Sequence, residues 1–213
     1  MAVGKTTVGR LLAARLGYRF VDTGNMYRAL AWKALKNGVD PDDGQSLTRL
    51  AERVHMEPLP GNGGEPGLLV DGQSVSTALR SPEVEQTVSA VSSIPGVRLA
   101  LVKHQRHLAR KGRIVMVGRD IGTDVLPRAG LKIFLEASAR ERARRRHLEV
   151  TGAASRDDSS FNVTLAHLEQ RDRIDSQRAV SPLRPATDAA IIDTEGLAPD
   201  KVVEHIWHLM NPA

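Results

Sequence analysis

The sequence predicts an α/β fold in which a parallel sheet is flanked by helices, and three observations carry that prediction. Gly4-Lys5-Thr6-Thr7 runs straight into the helical pattern Val8-Gly9-Arg10-Leu11-Leu12. This is the second half of a phosphate-binding loop: backbone N–H groups cradle phosphates, the lysine reaches the β/γ oxygens, and the first hydroxyl suits Mg²⁺. Ile114–Val117, Leu131–Leu135 and Ala189–Asp193 are short, mostly apolar runs, as expected of parallel strands buried on both faces. Helical periodicities with short connections separate them.

In chain order, Val8, Leu11, Leu12 and Leu16 fall at helical spacing and Gly17 is placed to terminate that helix. Tyr18–Val21 reads as a strand ending at Asp22-Thr23-Gly24. A second helix carries Met26, Leu30, Ala31, Ala34 and Leu35 and stops at Gly38. A third runs from an Asp42/Asp43 cap with Leu47, Leu50, Ala51 and Val54 in phase. Pro58, Pro60 and the stretch 61–67 form a breaker-rich loop. Leu68–Val70 and Gln73–Val75 then make a hairpin on a type I′ Asp71-Gly72 turn, read as part of an inserted subdomain. Ser81-Pro82 caps and starts a helix with Val84, Val88 and Val91, which breaks at Pro95-Gly96. Another, with Val97, Leu101 and Leu108, ends at Gly112. After the strands at Ile114 and Leu131, Ser138 and Glu141 make a capping box for an arginine-rich helix. Residues 151–160 are small and polar, and a helix from about Asn162 runs out through Arg171–Arg178. Following the last strand, the closing helix has Val202, Ile206, Leu209 and Met210 in phase. The expected division is a core at 1–55 with the partial phosphate loop, an insert at 56–100, and a core at 101–213 that includes a lid at about 145–162.

Composition bounds the function. The 213 residues, 41% hydrophobic and 26% charged, suit one ordinary globular domain with a small insert. No run approaches the roughly 18–20 apolar residues of a membrane span, and no secretory signal pattern is present. The absence of cysteine excludes disulfides, thiol catalysis and cysteine-ligated zinc, and fits a cytoplasmic protein. A net charge of +5 points to an anionic partner. Aromatic residues at 3% offer little for stacking on bases, and the arginines are interleaved with acids, so a nucleotide is favoured over nucleic acid.

Four clusters lie just past the carboxyl ends of predicted strands, where α/β sheets place ligands. They are Asp22-Thr23-Gly24 with Tyr27-Arg28, Gly118-Arg119-Asp120, the Arg140–Arg146 helix, and Arg171 to Arg178. Guanidinium forks match phosphate oxygens bidentately and stay charged at any working pH. Singly, each cluster also suits a salt-bridged surface; Asp175 stands at i+4 from Arg171 and three before Arg178. Together, downstream of a Gly-Lys-Thr, they suit two polyanions brought end to end.

Asp22–Ala29, Gly118-Arg119-Asp120-Ile121-Gly122-Thr123 and Arg171–Leu183 resemble three signature blocks of the bacterial cytidylate kinases, P-loop nucleoside monophosphate kinases. Ile133–Ser138 and Ile192–Leu197 resemble two more, and the similarity runs through essentially the whole chain. The resemblance implies transfer of the ATP γ-phosphoryl group to CMP or dCMP with Mg²⁺, by a monomer acting on free nucleotides, with neither nucleic acid nor membrane as partner. Gly4, Lys5, Thr6 and Thr7 would bind ATP, with Lys5 bridging phosphates and Thr6 helping to hold Mg²⁺. Arg28 and Arg119 would grip the CMP phosphate. Ser89, Arg98 and Asp120 would read the cytosine edge; Thr23, Arg171, Asp175 and Arg178 complete the CMP site. Arg142, Arg145 or Arg146 would close over the transferring group as a lid, and the insert would be the CMP-binding subdomain.

Two departures stand out. Ile174 replaces an arginine of some relatives, which removes one expected contact. The resemblance also implies a central first strand, in sheet order 2-3-1-4-5, so about 10–20 further residues, a strand and half a loop, are expected upstream of Met1. Other small-molecule kinases of adenylate or shikimate type, and a kinase-like nucleic-acid-binding protein, are the alternative readings.

Overall fold

The computed structural model describes residues 2–59, 67–152, 159–177 and 180–211. The loop expected at 60–66, the middle of the expected lid at 153–158, and Arg178 lie outside the described residues. The chain divides into two compact units, one formed by 13–118 and the other by 1–12 with 119–213.

Helix α1 (Lys5–Leu16) starts at the Gly-Lys-Thr turn, and its first residues belong to the second unit. In the 13–118 unit, β1 (Arg19–Asp22) leads into α2 (Thr23–Lys36). Asp22 caps α2, its carboxylate accepting from the Gly24 N–H at 2.9 Å. Next come α3 (Gly44–Arg53), β2 (Met56–Pro58), β3 (Leu68–Val70), β4 (Gln73–Ser74), α4 (Pro82–Ser93), α5 (Pro95–Ala109) and β5 (Ile114–Val117). β1 and β5 pair in parallel, Arg19 opposite Ile114 and Asp22 opposite Val117. β2, β3 and β4 form a small antiparallel sheet. Its Asp71-Gly72 turn has both residues at positive φ, +49° and +79°, as a type I′ turn requires. The first strand of this sheet, β2, falls in a stretch that reads as helix end and loop in the sequence.

The helices α2 to α5 enclose the core of this unit, with Met26, Leu30, Leu47, Val84, Val91, Val97 and Leu101 buried in it. Gly96 marks the close approach of α5 to α3. A Cβ there would lie 2.4 Å from Thr48 Oγ1.

In the other unit, β6 (Ile133–Glu136) pairs in parallel with β7 (Ala190–Asp193), Phe134 opposite Ile191. Around them are a π-helical turn at Ile121–Val125, α6 (Ala139–Thr151), α7 (Ser159–Gln177) and α8 (Pro199–Met210). α6 and α7 pack together around Ala143, Phe161 and Leu168.

Three expectations are corrected. All of Ile114–Val117 are half-buried, not buried on both faces, and among the described residues β5 pairs with β1 alone. Among the described residues the parallel strands form two separate pairs, β1 with β5 and β6 with β7. Leu35, Leu209 and Met210, placed on buried faces from periodicity, are exposed; α8 buries Val202, Val203 and Ile206. The capping box is half made: Ser138 Oγ accepts from the Glu141 N–H, but the carboxylate that takes the Ser138 N–H is that of Glu195. No helix among the described residues is long and apolar enough to cross a membrane.

Candidate active site

The Gly-Lys-Thr turn begins at Gly4, whose φ of +87° is a conformation that L side chains rarely adopt. Its carbonyl accepts the first helical bond, from Val8 at 2.9 Å. Buried Val3 and Val8 fix the turn from beneath, while Thr6 and Thr7 are exposed. The N–H groups of the first turn lack earlier helical acceptors by construction and so suit an anion.

In the 13–118 unit the structure gathers Thr23, Arg28, Ser89 and Arg98 around α2, α4 and α5. The buried Thr23 hydroxyl donates to the Val117 carbonyl at 3.0 Å and ties the head of α2 to the end of β5. Arg28 lies one turn along α2, and its Nε donates to Glu85 on α4 at 2.9 Å. Ser89, exposed, is one turn beyond Glu85 on the same helix. Arg98 is buried at 3% exposure. Its Nη1 donates to the Ser92 carbonyl at 3.2 Å, and its guanidinium stands over the Tyr27 ring, 5.6 Å from the centroid. α4 thus holds Arg28 through the Glu85 carboxylate and Arg98 through the Ser92 carbonyl.

In the other unit Arg119 and Asp175 meet: Arg119 Nε lies 2.7 Å from Asp175 Oδ2, and Asp175 is 3% exposed. Asp120, beside Arg119, is also buried. Arg171 sits one turn before Asp175 on α7. The three candidate lid arginines differ in setting. Arg142 is paired with Asp172 and donates from Nε to the Ala137 carbonyl at 3.1 Å. Arg145 Nε is 2.8 Å from Glu141, and its Nη groups reach the hydroxyl and carbonyl of Thr194. Arg146, the most exposed of the three, pairs with Glu149 at 2.9 Å. The Arg144 and Arg145 guanidiniums around Glu141 pull its carboxyl down to about 2.

Sequence reasoning missed Glu85, Tyr27, Asp172 and Thr194 as partners of the candidate arginines. Glu85 is 57 residues from Arg28 and Thr194 is 49 from Arg145, separations that no local pattern encodes.

Parallel strand pairs flanked by helices, with Gly-Lys-Thr heading the first helix, define a protein of the α/β class. A family model described as cytidylate kinase matches residues 1–212. A cytidylate kinase of Geobacillus sp. (strain WCH70) is 44% identical over 99% of this chain and 92% of its own length. One from Chloroflexus aggregans is 46% identical over 95% of this chain and 86% of its own. A bifunctional pantoate ligase/cytidylate kinase of Synechococcus sp. (strain JA-3-3Ab) is 47% identical over 97% of this chain, which spans 38% of that longer protein. The chain belongs to the cytidylate kinase family.

Proposed function

We propose that the protein is an ATP-dependent kinase that transfers the γ-phosphoryl group to CMP or dCMP, giving CDP or dCDP. The observation that carries this reading is the family match from residue 1 to 212, over a chain that keeps the arginine-bearing blocks in order. The acceptor phosphate is already anionic, so positioning and charge stabilisation supply most of the rate. Gly4, Lys5, Thr6 and Thr7 are assigned to the donor phosphates. In the 13–118 unit, Arg28 takes the CMP phosphate, Thr23 completes its surroundings, and Ser89 and Arg98 take the cytosine edge. In the other unit, Arg119 takes phosphate, Asp120 takes base, and Arg171, Asp175 and Arg178 take the sugar and adjoining groups. Arg142, Arg145 or Arg146 closes over the transferring group as a lid, and residues 56–100 form the CMP-binding insert.

The residues fit a Mg²⁺ that arrives with the nucleotide. Among the described residues there is no cluster of three His, Cys, Asp or Glu that could cage a metal. Thr6 offers one exposed hydroxyl in the first turn of α1, and Mg²⁺ is commonly held by few protein oxygens plus substrate phosphates. Bound there, it would neutralise charge on the β and γ oxygens.

This reading makes the protein a cytoplasmic monomer that does not act on nucleic acid. It also includes a further strand, supplied upstream, that completes the parallel sheet. The half-exposure of all four β5 residues and of Ile133, Phe134 and Leu135 in β6 supports it, since such apolar strands are buried in complete parallel sheets. The test is ADP release with CMP, dCMP, UMP, AMP and shikimate as acceptors, by the 213-residue chain and by one extended upstream. Turnover of CMP and dCMP above the others is expected, with the extended chain faster. Salt-sensitive oligonucleotide binding without phosphoryl transfer by either chain would overturn the reading.

A further inference from the structure

The Arg28 guanidinium is held from two sides by groups to which no role in the reaction has been assigned. Glu85 on α4 takes its Nε at 2.9 Å, and Asn25 Oδ1 lies 3.5 Å from its Nη1. Gly24 makes this placement possible, because a Cβ there would lie 3.2 Å from Arg28 Nη1 and 3.0 Å from the capping Asp22 carboxylate. The side chains of Arg28 and Glu85 are 22% and 29% exposed. The pair is therefore accessible to a ligand and sheltered enough to keep its geometry. An arginine side chain carries about 2 kcal/mol of rotamer entropy, which a ligand must otherwise quench on binding.

We propose that Glu85 is a positioning residue for the acceptor nucleotide: it fixes Arg28 by the Nε edge before substrate arrives and leaves the Nη edge turned to the acceptor phosphate. This rests on the assignment of Arg28 to the CMP phosphate. The carboxylate orients the guanidinium and does not compete for it, because a guanidinium has five donors: Glu85 takes the one at Nε and Asn25 one at Nη1, which leaves the remaining Nη donors for the phosphate. The same helix presents Ser89 one turn on, and its Ser92 carbonyl holds Arg98. Through Glu85 and Ser92, α4 thus sets the direction of two arginines on different helices. Loss of the Glu85 charge should weaken recognition of the acceptor and leave the donor unaffected.

The experiment compares Glu85→Gln, Glu85→Asp, Arg28→Lys and the double variant Glu85→Gln/Arg28→Lys with the unaltered full chain, extended upstream if that is the faster form. It measures KM for CMP and for ATP, kcat, and thermal melting. Glu85→Gln should raise KM for CMP about fivefold, with kcat and KM for ATP within about twofold. Glu85→Asp should recover part of that loss, and the double variant should be less than additive because both changes break one pair. A KM for CMP that is unchanged or lowered in Glu85→Gln overturns the proposal, as does strict additivity with Arg28→Lys. A parallel rise in both KM values with a lowered melting temperature assigns Glu85 a role in the fold alone and overturns it equally. Absence of CMP turnover by the unaltered chain would instead defeat the kinase reading, a separate outcome.

Discussion

Single residues carry most of the charge chemistry, and Glu141 shows how its surroundings set it. Its carboxyl receives Arg144 through two bonds of 2.7 and 2.8 Å and Arg145 through one of 2.8 Å. Hydrogen bonding from Arg144 is the largest cause of its fall from 4.5 to about 2. A carboxyl lowered on folding contributes stability that is fully present above its unfolded value and disappears as pH falls through its folded value. The melting temperatures of the unaltered chain and Glu141→Gln should therefore differ most above pH 4.5 and converge as pH approaches 2. A difference that is constant with pH would remove the charge from the explanation. The sequence spacing makes Glu141 the second half of a capping box with Ser138. Its spacing was legible, but its use was not: two arginines three and four residues on outcompete the single backbone N–H, which Glu195 takes instead.

At the scale of elements, the contact between α3 and α5 is set by the lack of a side chain at Gly96. Thr48 Oγ1 is fixed against the Gly44 carbonyl at 2.7 Å, so it cannot swing away without giving up that bond. Gly96→Ala should therefore cost about 1–3 kcal/mol through overpacking, read as a lower midpoint in chemical denaturation. Thr48→Ala in the same chain should restore most of it, a non-additive pair. In the sequence, Gly96 after Pro95 reads only as a helix break. Pro95 does open α5, as a proline at a first helical position does, but the tight approach depends on α3, about 50 positions away. Caps were legible for the opposite reason: Asp43 bonds Gln45 and Ser46, and Ser81 bonds Val84, all within three residues.

For the whole molecule, the net charge of +5 and the guanidinium groups past the strand ends favour anionic substrates at long range. Raising ionic strength from about 0.01 to 0.15 M shortens the Debye length from about 30 to about 8 Å. The kcat/KM for CMP should fall over that range, mainly through KM, while the melting temperature changes little. A salt-independent kcat/KM would show that only contact-range charges matter. The net charge is additive over residues and so readable from composition alone. How far each guanidinium is already engaged by the protein is another matter: Arg98 is buried and Arg145 is bound at both ends.

By itself the sequence determined the α/β class, the start of α1 at Gly-Lys-Thr, the caps at Asp43 and Ser81, the Asp71-Gly72 turn and the kinase-family blocks. All of these are written in spacings of a few residues or in the order of short motifs. Only the tertiary structure decided that Glu85 holds Arg28, that Thr194 holds Arg145, and that Arg98 lies buried over Tyr27. Those pairings come from the packing of segments far apart in the chain. A charged side chain takes whichever opposite charge or carbonyl its fold brings within about 3 Å, and local sequence carries no record of that choice.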